Sequence, residues 1–172
     1  MNFTGAGCLF CNDQYVLGGY QPRKQKPMIS GLGGKKEDGE EVYTTALRET
    51  IEELFELETV PLEWIESIQQ ELGSRVQVPN GEYISIVYSF EDLHRILQIL
   101  QTKGAQSPLY EEFPTNLLSL LFNRKQLDWP PEISHLVLLP RVSHPKDCPF
   151  VSPYFLKDIR LLLVQPSGPV DS

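Results

Sequence analysis

Six residues, Gly34, Glu40, Arg48, Glu49, Glu52 and Glu53, stand in the spacing G-x5-E-x7-R-E-x-x-E-E within the stretch Gly31 to Leu57. On a helix, Glu49, Glu52 and Glu53 are i, i+3 and i+4 partners and share one face, which Glu56 extends by a turn. Like charges at this spacing destabilise a bare helix, so a positive group must sit opposite them. Arg48 is one source of that charge, as a neighbour that pairs with and orients a carboxylate. A divalent cation is the other, and hard oxygen ligands suit Mg2+ or Mn2+ better than Zn2+. Upstream, Gly31, Gly33 and Gly34 let the backbone approach a ligand closely. Lys35 and Lys36 follow at once and are placed to meet phosphate. The stretch carries the equipment to bind a metal and a diphosphate together. An acidic helix face alone is more often mere solvated surface. The full pattern overturns that reading, because six fixed positions match by chance about once in a hundred thousand chains of this size.

The element that must present these residues is a helix. Asp38-Gly39 is a turn dipeptide, and Asp38 with Glu41 three residues later predicts a capping box. Val42, Ala46, Leu47, Ile51, Leu54 and Phe55 then recur at helical spacing, with no Gly or Pro before Leu57.

This stretch resembles the Nudix box, G-x5-E-x7-R-E-U-x-E-E-x-G-U with U aliphatic. Gly34, Glu40, Arg48, Glu49, Glu52 and Glu53 are in register. The chain departs from it at Thr50, an aliphatic position, at Phe55, the late glycine, and at Glu56, the final aliphatic. Without that glycine the helix is expected to run on to about Leu57. The resemblance implies an α/β fold, an α/β/α sandwich with a mixed central sheet, the box helix on one face and the late helices on the other. It implies hydrolysis of a diphosphate linkage, X-P-P-Y plus water. Mg2+ (or Mn2+) would be held by Glu49, Glu52 and Glu53, with a backbone carbonyl at Gly34. The proton would go to Glu49, oriented by Arg48, or to a late carboxylate. Glu111 and Glu112 are the candidates for the latter, Glu112 foremost, with a solvated loop pair as the plainer reading. Glu40 would support the loop–helix geometry. In such proteins the loop before the box strand faces substrate, so Arg23, Lys24 and Lys26, with Lys35, are candidate substrate contacts, or else solvated loop.

At 172 residues with 41% hydrophobic and 22% charged content, the chain reads as one domain over residues 1–164 with a flexible tail at 165–172. A net charge of −8 argues against binding long nucleic acid, though not against a capped RNA end. No membrane span and no leader are expected. Cys8-x-x-Cys11 has the spacing of a redox or metal pair, but it lies in a strand-like run whose alternation does not put the two on one face, so they and Cys148 are expected as free thiols in a reducing, cytoplasmic or nuclear, compartment. His144 and Cys148 are too few for a zinc site.

The remaining elements are predicted as follows. Ala6–Cys11 and Tyr15–Gly19 form a hairpin, and Met28–Ser30 is a short strand into the glycine loop. A helix runs from Pro61 to Leu72 with Leu62, Ile65, Ile68 and Leu72 inward, Trp64 being unassigned. A hairpin of Arg75–Val78 and Glu82–Phe90 turns at Pro79-Asn80-Gly81. Helices follow at Glu91–Lys103, capped by Ser89 and closed by Gly104, and at Pro114–Lys125. Trp129 is a stacking platform or a packed corner. A strand at His135–Leu139, a loop at Ser143–Pro149 and a helix from Ser152-Pro153 to Val164 complete the chain.

The substrate stays open among three small phosphorylated classes: a nucleoside triphosphate or nucleoside diphosphate-linked molecule, which the aromatic residues favour; a capped RNA end; and a diphosphoinositol polyphosphate, which wants more clustered cations than Arg23, Lys24, Lys26, Lys35 and Lys36 supply. A nucleotide-binding module of the same fold with little or no catalysis is the reading from another class. Oligomeric state is not legible.

Overall fold

Strand β1 (Gly5–Cys11) is buried along its whole length, and its side chains alternate between two cores. Ala6, Cys8 and Phe10 enter one; Leu9 and Cys11 enter the other. That alternation is the period of two of an extended chain, and it demands cover on both faces of the sheet. It also separates Cys8 from Cys11, which with Cys148 are free thiols. The computed structural model describes residues 2–141 and 148–164. His144 and most of the expected 143–149 loop, like the expected tail at 165–172, lie outside them.

The protein is a mixed α/β structure around a seven-stranded sheet of order β3-β2-β1-β6-β5, with β4 also pairing β1 and β7 also pairing β2. The strands are β2 (Tyr15–Gln21), β3 (Met28–Ser30), β4 (Leu32–Lys35), β5 (Gln77–Asn80), β6 (Tyr83–Ser89) and β7 (His135–Pro140). The helices are α1 (Val42–Phe55), α2 (Leu62–Leu72), α3 (Phe90–Thr102), α4 (Leu117–Phe122) and α5 (Pro153–Leu163). β1 pairs with β6 in parallel, while its other edge is shared. Cys11 pairs with Val16 of β2 at the hairpin end, and Gly5 to Cys8 pair with Lys35 to Leu32 of β4. The β1–β2 hairpin therefore splays open, and the run β3–β4 enters the fork, bonding first to β2 and then to β1.

The expected glycine loop is thus a strand. Close approach explains its composition: a Cβ at Gly33 would lie 2.0 Å from Tyr83 Oη and 2.5 Å from Gly7 Cα. The second hairpin turns one residue later than expected, at Gly81-Glu82, since Asn80 pairs with Tyr83. Pro79 is tolerated inside β5 because β5 is an edge strand.

One layer beside the sheet holds α1, α2 and α3 together with Leu120 of α4; the other is α5, through Phe155, Leu156, Ile159 and Leu162. The expectation that all late helices lie opposite the box helix holds only for α5. Trp64 packs partly buried against the larger core, whereas Leu62, expected inward, is exposed. Ser89 caps α3 in a capping box with Asp92. α4 is shorter than the expected Pro114–Lys125. Asn116 and Ser119 form a capping box at its start, and beyond Phe122 Arg124 turns inward to main-chain carbonyls.

Candidate active site

The start of α1 is organised by Glu40, not by the expected Asp38–Glu41 box. Asp38-Gly39 does turn, with Gly39 at φ +80°, but the N-cap Glu41 makes no side-chain cap bond. Glu40 Oε1 instead accepts from the Glu37 N–H at 2.8 Å and the Thr45 hydroxyl at 2.9 Å. Both Glu40 oxygens accept from Arg48, Nε to Oε2 at 2.7 Å and Nη2 to Oε1 at 2.9 Å. This forked bond, ahead of every other influence, holds the Glu40 carboxyl at about 2, well below the ordinary carboxylate value.

Arg48 continues across the site. Nη1 donates to Glu49 Oε1 at 2.9 Å and Glu52 Oε2 at 3.3 Å, and Nη2 donates to the Lys35 carbonyl at 2.9 Å. The guanidinium pins the helix to β4 and fixes Glu49 and Glu52 on one side. Burial raises the Glu52 carboxyl above its ordinary value despite Arg48.

Glu53 fills the fork between the splayed strands. It is 2% exposed; Oε1 accepts from the Gly33 N–H at 2.6 Å and Oε2 from Gln21 Nε2 at 3.4 Å. Burial pushes its carboxyl well above the ordinary range, and the charges of Glu132 and Glu49 push the same way against the Gly33 bond. Gly34 lies beside Glu49, where a Cβ would come within 2.3 Å of Glu49 Oε2.

The strand register fixes which backbone groups face the carboxylates. Lys36 N–H donates to the Thr4 carbonyl at 2.9 Å while the Thr4 N–H turns to the Glu82 carbonyl, and this phase makes Ala6 and Gly34 the mutually bonded pair of the ladder. Gly33 and Lys35, on either side of Gly34, turn their N–H and C=O groups outward. Their bonds to Glu53 and Arg48 agree with that phase. The Gly34 carbonyl accordingly points at β1, and the carbonyl on the carboxylate side is that of Gly33.

The far end of α1 also differs from expectation. The helix stops at Phe55, and Glu56 takes the left-handed conformation at φ 51°, ψ 51°, the one non-glycine with positive φ among the described residues. Phe55 cannot take that role, since it is fully buried, its ring tilted against Phe113 with centroids 4.6 Å apart and edge-on to Tyr110 at 5.9 Å. The sharp turn usually given to glycine falls one residue later. Glu56 Oε2 accepts from the Glu132 N–H at 3.1 Å, and Oε1 lies 3.7 Å from Arg23. Arg124, buried, donates to the carbonyls of Leu54 at 2.6 Å, Glu53 at 3.4 Å and Ile133 at 2.7 Å. It supplies the positive charge that the last turn of α1 lacks. Neither Arg124 nor Glu132 is signalled by local sequence, because both reach α1 only through the tertiary fold.

Of the expected substrate contacts, Arg23, Lys24, Lys26 and Lys35 are all exposed. Arg23 reaches Glu56, and Lys24 lines a cavity of about 310 Å³ with Gln21, Gly33, Tyr83, Tyr154 and Asp158. Lys26 lines a different cavity, beside Cys148 and Arg160. A larger cavity, about 560 Å³, lies behind Tyr83 and Tyr154 and touches none of the box carboxylates. Glu111 and Glu112 are exposed and, among the described residues, make no polar contact with the box. Trp129 is half exposed.

Among the described residues no three Asp, Glu, His or Cys side chains already form a metal cage. The donor chemistry still fits a hard divalent cation. Glu49, Glu52 and Glu53 offer carboxylate oxygens from one helix face, and Glu53 is buried among like charges and, among the described residues, has no cationic side-chain partner. No helix of the described residues is long and apolar enough to cross a membrane.

No family model matches the chain, and no curated protein does. The solved structures to which it is similar include two proteins. One is a bifunctional NMN adenylyltransferase/ADP-ribose pyrophosphatase from Francisella tularensis, complexed with AMP and a Mn ion, at 16% identity and TM-score 0.46, covering 95% of this chain. The chain spans 41% of that protein's length. Another is a NUDIX-family hydrolase from Clostridium perfringens, at 14% identity and TM-score 0.37, covering 96% of this chain and 100% of that one.

Proposed function

We propose that this protein is a metal-dependent Nudix-type hydrolase that cleaves a diphosphate linkage in a nucleoside triphosphate or a nucleoside diphosphate-linked molecule. One observation carries the reading: Arg48, anchored by Glu40 and the Lys35 carbonyl, sets Glu49 and Glu52 beside the glycine-bearing strand whose Gly33 N–H holds Glu53. Every charged position of the box takes part in that one bonded unit.

Glu49, Glu52 and Glu53 would hold Mg2+ or Mn2+, with the Gly33 carbonyl, in place of that of Gly34, as the backbone ligand. The cation would stabilise charge developing on the diphosphate oxygens. Arg48 keeps Glu49 oriented, and Glu40 keeps Arg48 in place. Gly34, without a side chain, lets the Glu49 carboxylate lie against β4. Lys24 and Lys35 attract its negative charge. Glu49 takes the proton from the attacking water, or a late carboxylate does. Glu132 suits the late role better than Glu112, because its charge acts on Glu53 and Glu56 ties its backbone to the end of α1.

The test is product release with Mg2+ over nucleoside triphosphates, ADP-ribose, dinucleoside polyphosphates, capped RNA and diphosphoinositol phosphates. Turnover of one class, lowered at least a hundredfold by Glu53→Gln, is the expected outcome. No turnover on any member, with Mn2+ as well, would make the protein a nucleotide-binding module of this fold.

A further inference from the structure

Among the described residues one buried carboxylate lies outside the hydrolytic set. Asp158, on α5, is 6% exposed. Its Oδ1 accepts from Asn80 Nδ2 at 2.9 Å, and among the described residues no donor reaches its second oxygen. The residue lines the 310 Å³ cavity. The same cavity is walled by Gln21 and Gly33, the two residues that hydrogen-bond Glu53. Tyr83 lines the cavity as well: burial first, then the charges of Asp158, Glu53, Cys8 and Glu49, push its hydroxyl up. Tyr154, largely exposed, offers an aromatic face at the rim.

The chemistry of this wall is selective. A carboxylate oxygen lacking a donor rewards hydroxyl or N–H groups and repels phosphate. Among the described residues Lys24 is the single cation lining the cavity. A ring phosphorylated at most positions is disfavoured there. A nucleoside, with a vicinal diol and a base that stacks on tyrosine, matches.

We infer that this cavity is the nucleoside subsite of the enzyme, and that Asp158 recognises the ribose 2′,3′-diol while Tyr154 stacks the base. The inference takes the diphosphate to lie against Glu49, Glu52 and Glu53, as in the function proposed above. Asp158→Asn is a suitable probe. It keeps an oxygen for Asn80 Nδ2 and replaces the open acceptor by an amide donor.

Binding of ATP and of 2′,3′-dideoxy-ATP is measured by calorimetry with Ca2+, for the full chain and for Asp158→Asn, with thermal melts alongside. The expected result is at least tenfold tighter binding of ATP by the unaltered protein. In Asp158→Asn that ratio falls below twofold while the melt stays cooperative. Tyr154→Ala weakens both nucleotides several-fold and leaves the ratio intact. Equal affinities in the unaltered protein, a ratio kept by Asp158→Asn, or no binding of either nucleotide would each overturn the assignment. The hydrolase reading fails separately. Turnover sensitive to Glu53→Gln with a flat ratio sinks only the subsite, whereas a diol-dependent ratio without turnover sinks only the hydrolase.

Discussion

Arg48 donates to five oxygens, those of Glu40 twice, Glu49, Glu52 and Lys35. A lysine keeps the charge but not the fork. Arg48→Lys is therefore expected to lower kcat/KM at least a hundredfold, read in the product-release assay, while the protein still folds. Glu40 gives a stability signature. Its carboxyl titrates at about 2 in the folded chain against 4.5 unperturbed. A depressed folded value contributes stability that is complete above pH 4.5 and is lost as pH falls through 2. Chemical denaturation between pH 6 and 2.5 should show Glu40→Gln losing its deficit, on the order of 2 kcal/mol, as pH drops. At this scale the sequence was legible. The spacing of Glu40, Arg48, Glu49, Glu52 and Glu53 implied a positive centre within an acidic face, and the bonds around Arg48 supply it. What spacing did not reveal is that Glu40, not Asp38, organises the helix start, since that choice depends on where the guanidinium points.

At the scale of elements, the glycines of β4 are set by what crosses them. Gly34→Ala would drive a methyl into the Glu49 carboxylate. The expected outcome is a folded protein, unchanged in far-UV circular dichroism, with kcat down at least tenfold. Gly33→Ala meets Tyr83, Gly7 and the Ala6 carbonyl together. It should cost more than about 3 kcal/mol in urea denaturation. Read in sequence, these glycines suggested a loop, because a glycine-rich run carries no strand pattern; pairing with the buried β1 overrides that weak local preference. The end of α1 departs from its sequence pattern for a related reason. Loss of the late glycine suggested a longer helix, but Phe55 is committed to the core and the chain turns at Glu56 regardless. The bonds of Glu56 to Arg23 and Glu132 accompany that strained turn.

At the scale of the molecule, Arg124 joins the end of α1 to the segment that carries Glu132. Arg124→Met leaves buried carbonyls unpaired and should cost about 3 kcal/mol, read as a shift in the urea midpoint. The strands other than β4 and most helices were legible from alternation, turns and caps. The layering was not, because whether α3 or α5 crosses the sheet is decided by long-range packing that no local pattern records. That layering has an evolutionary reading. The residues proposed to break the diphosphate belong to α1 and β4, whereas the proposed nucleoside reader belongs to α5, on the opposite face, joined to β5 through Asn80. Two sets of residues that share a sheet but not a core can drift independently. A lineage can exchange its outer helix for another and acquire a new preference while the hydrolytic residues stay as they are.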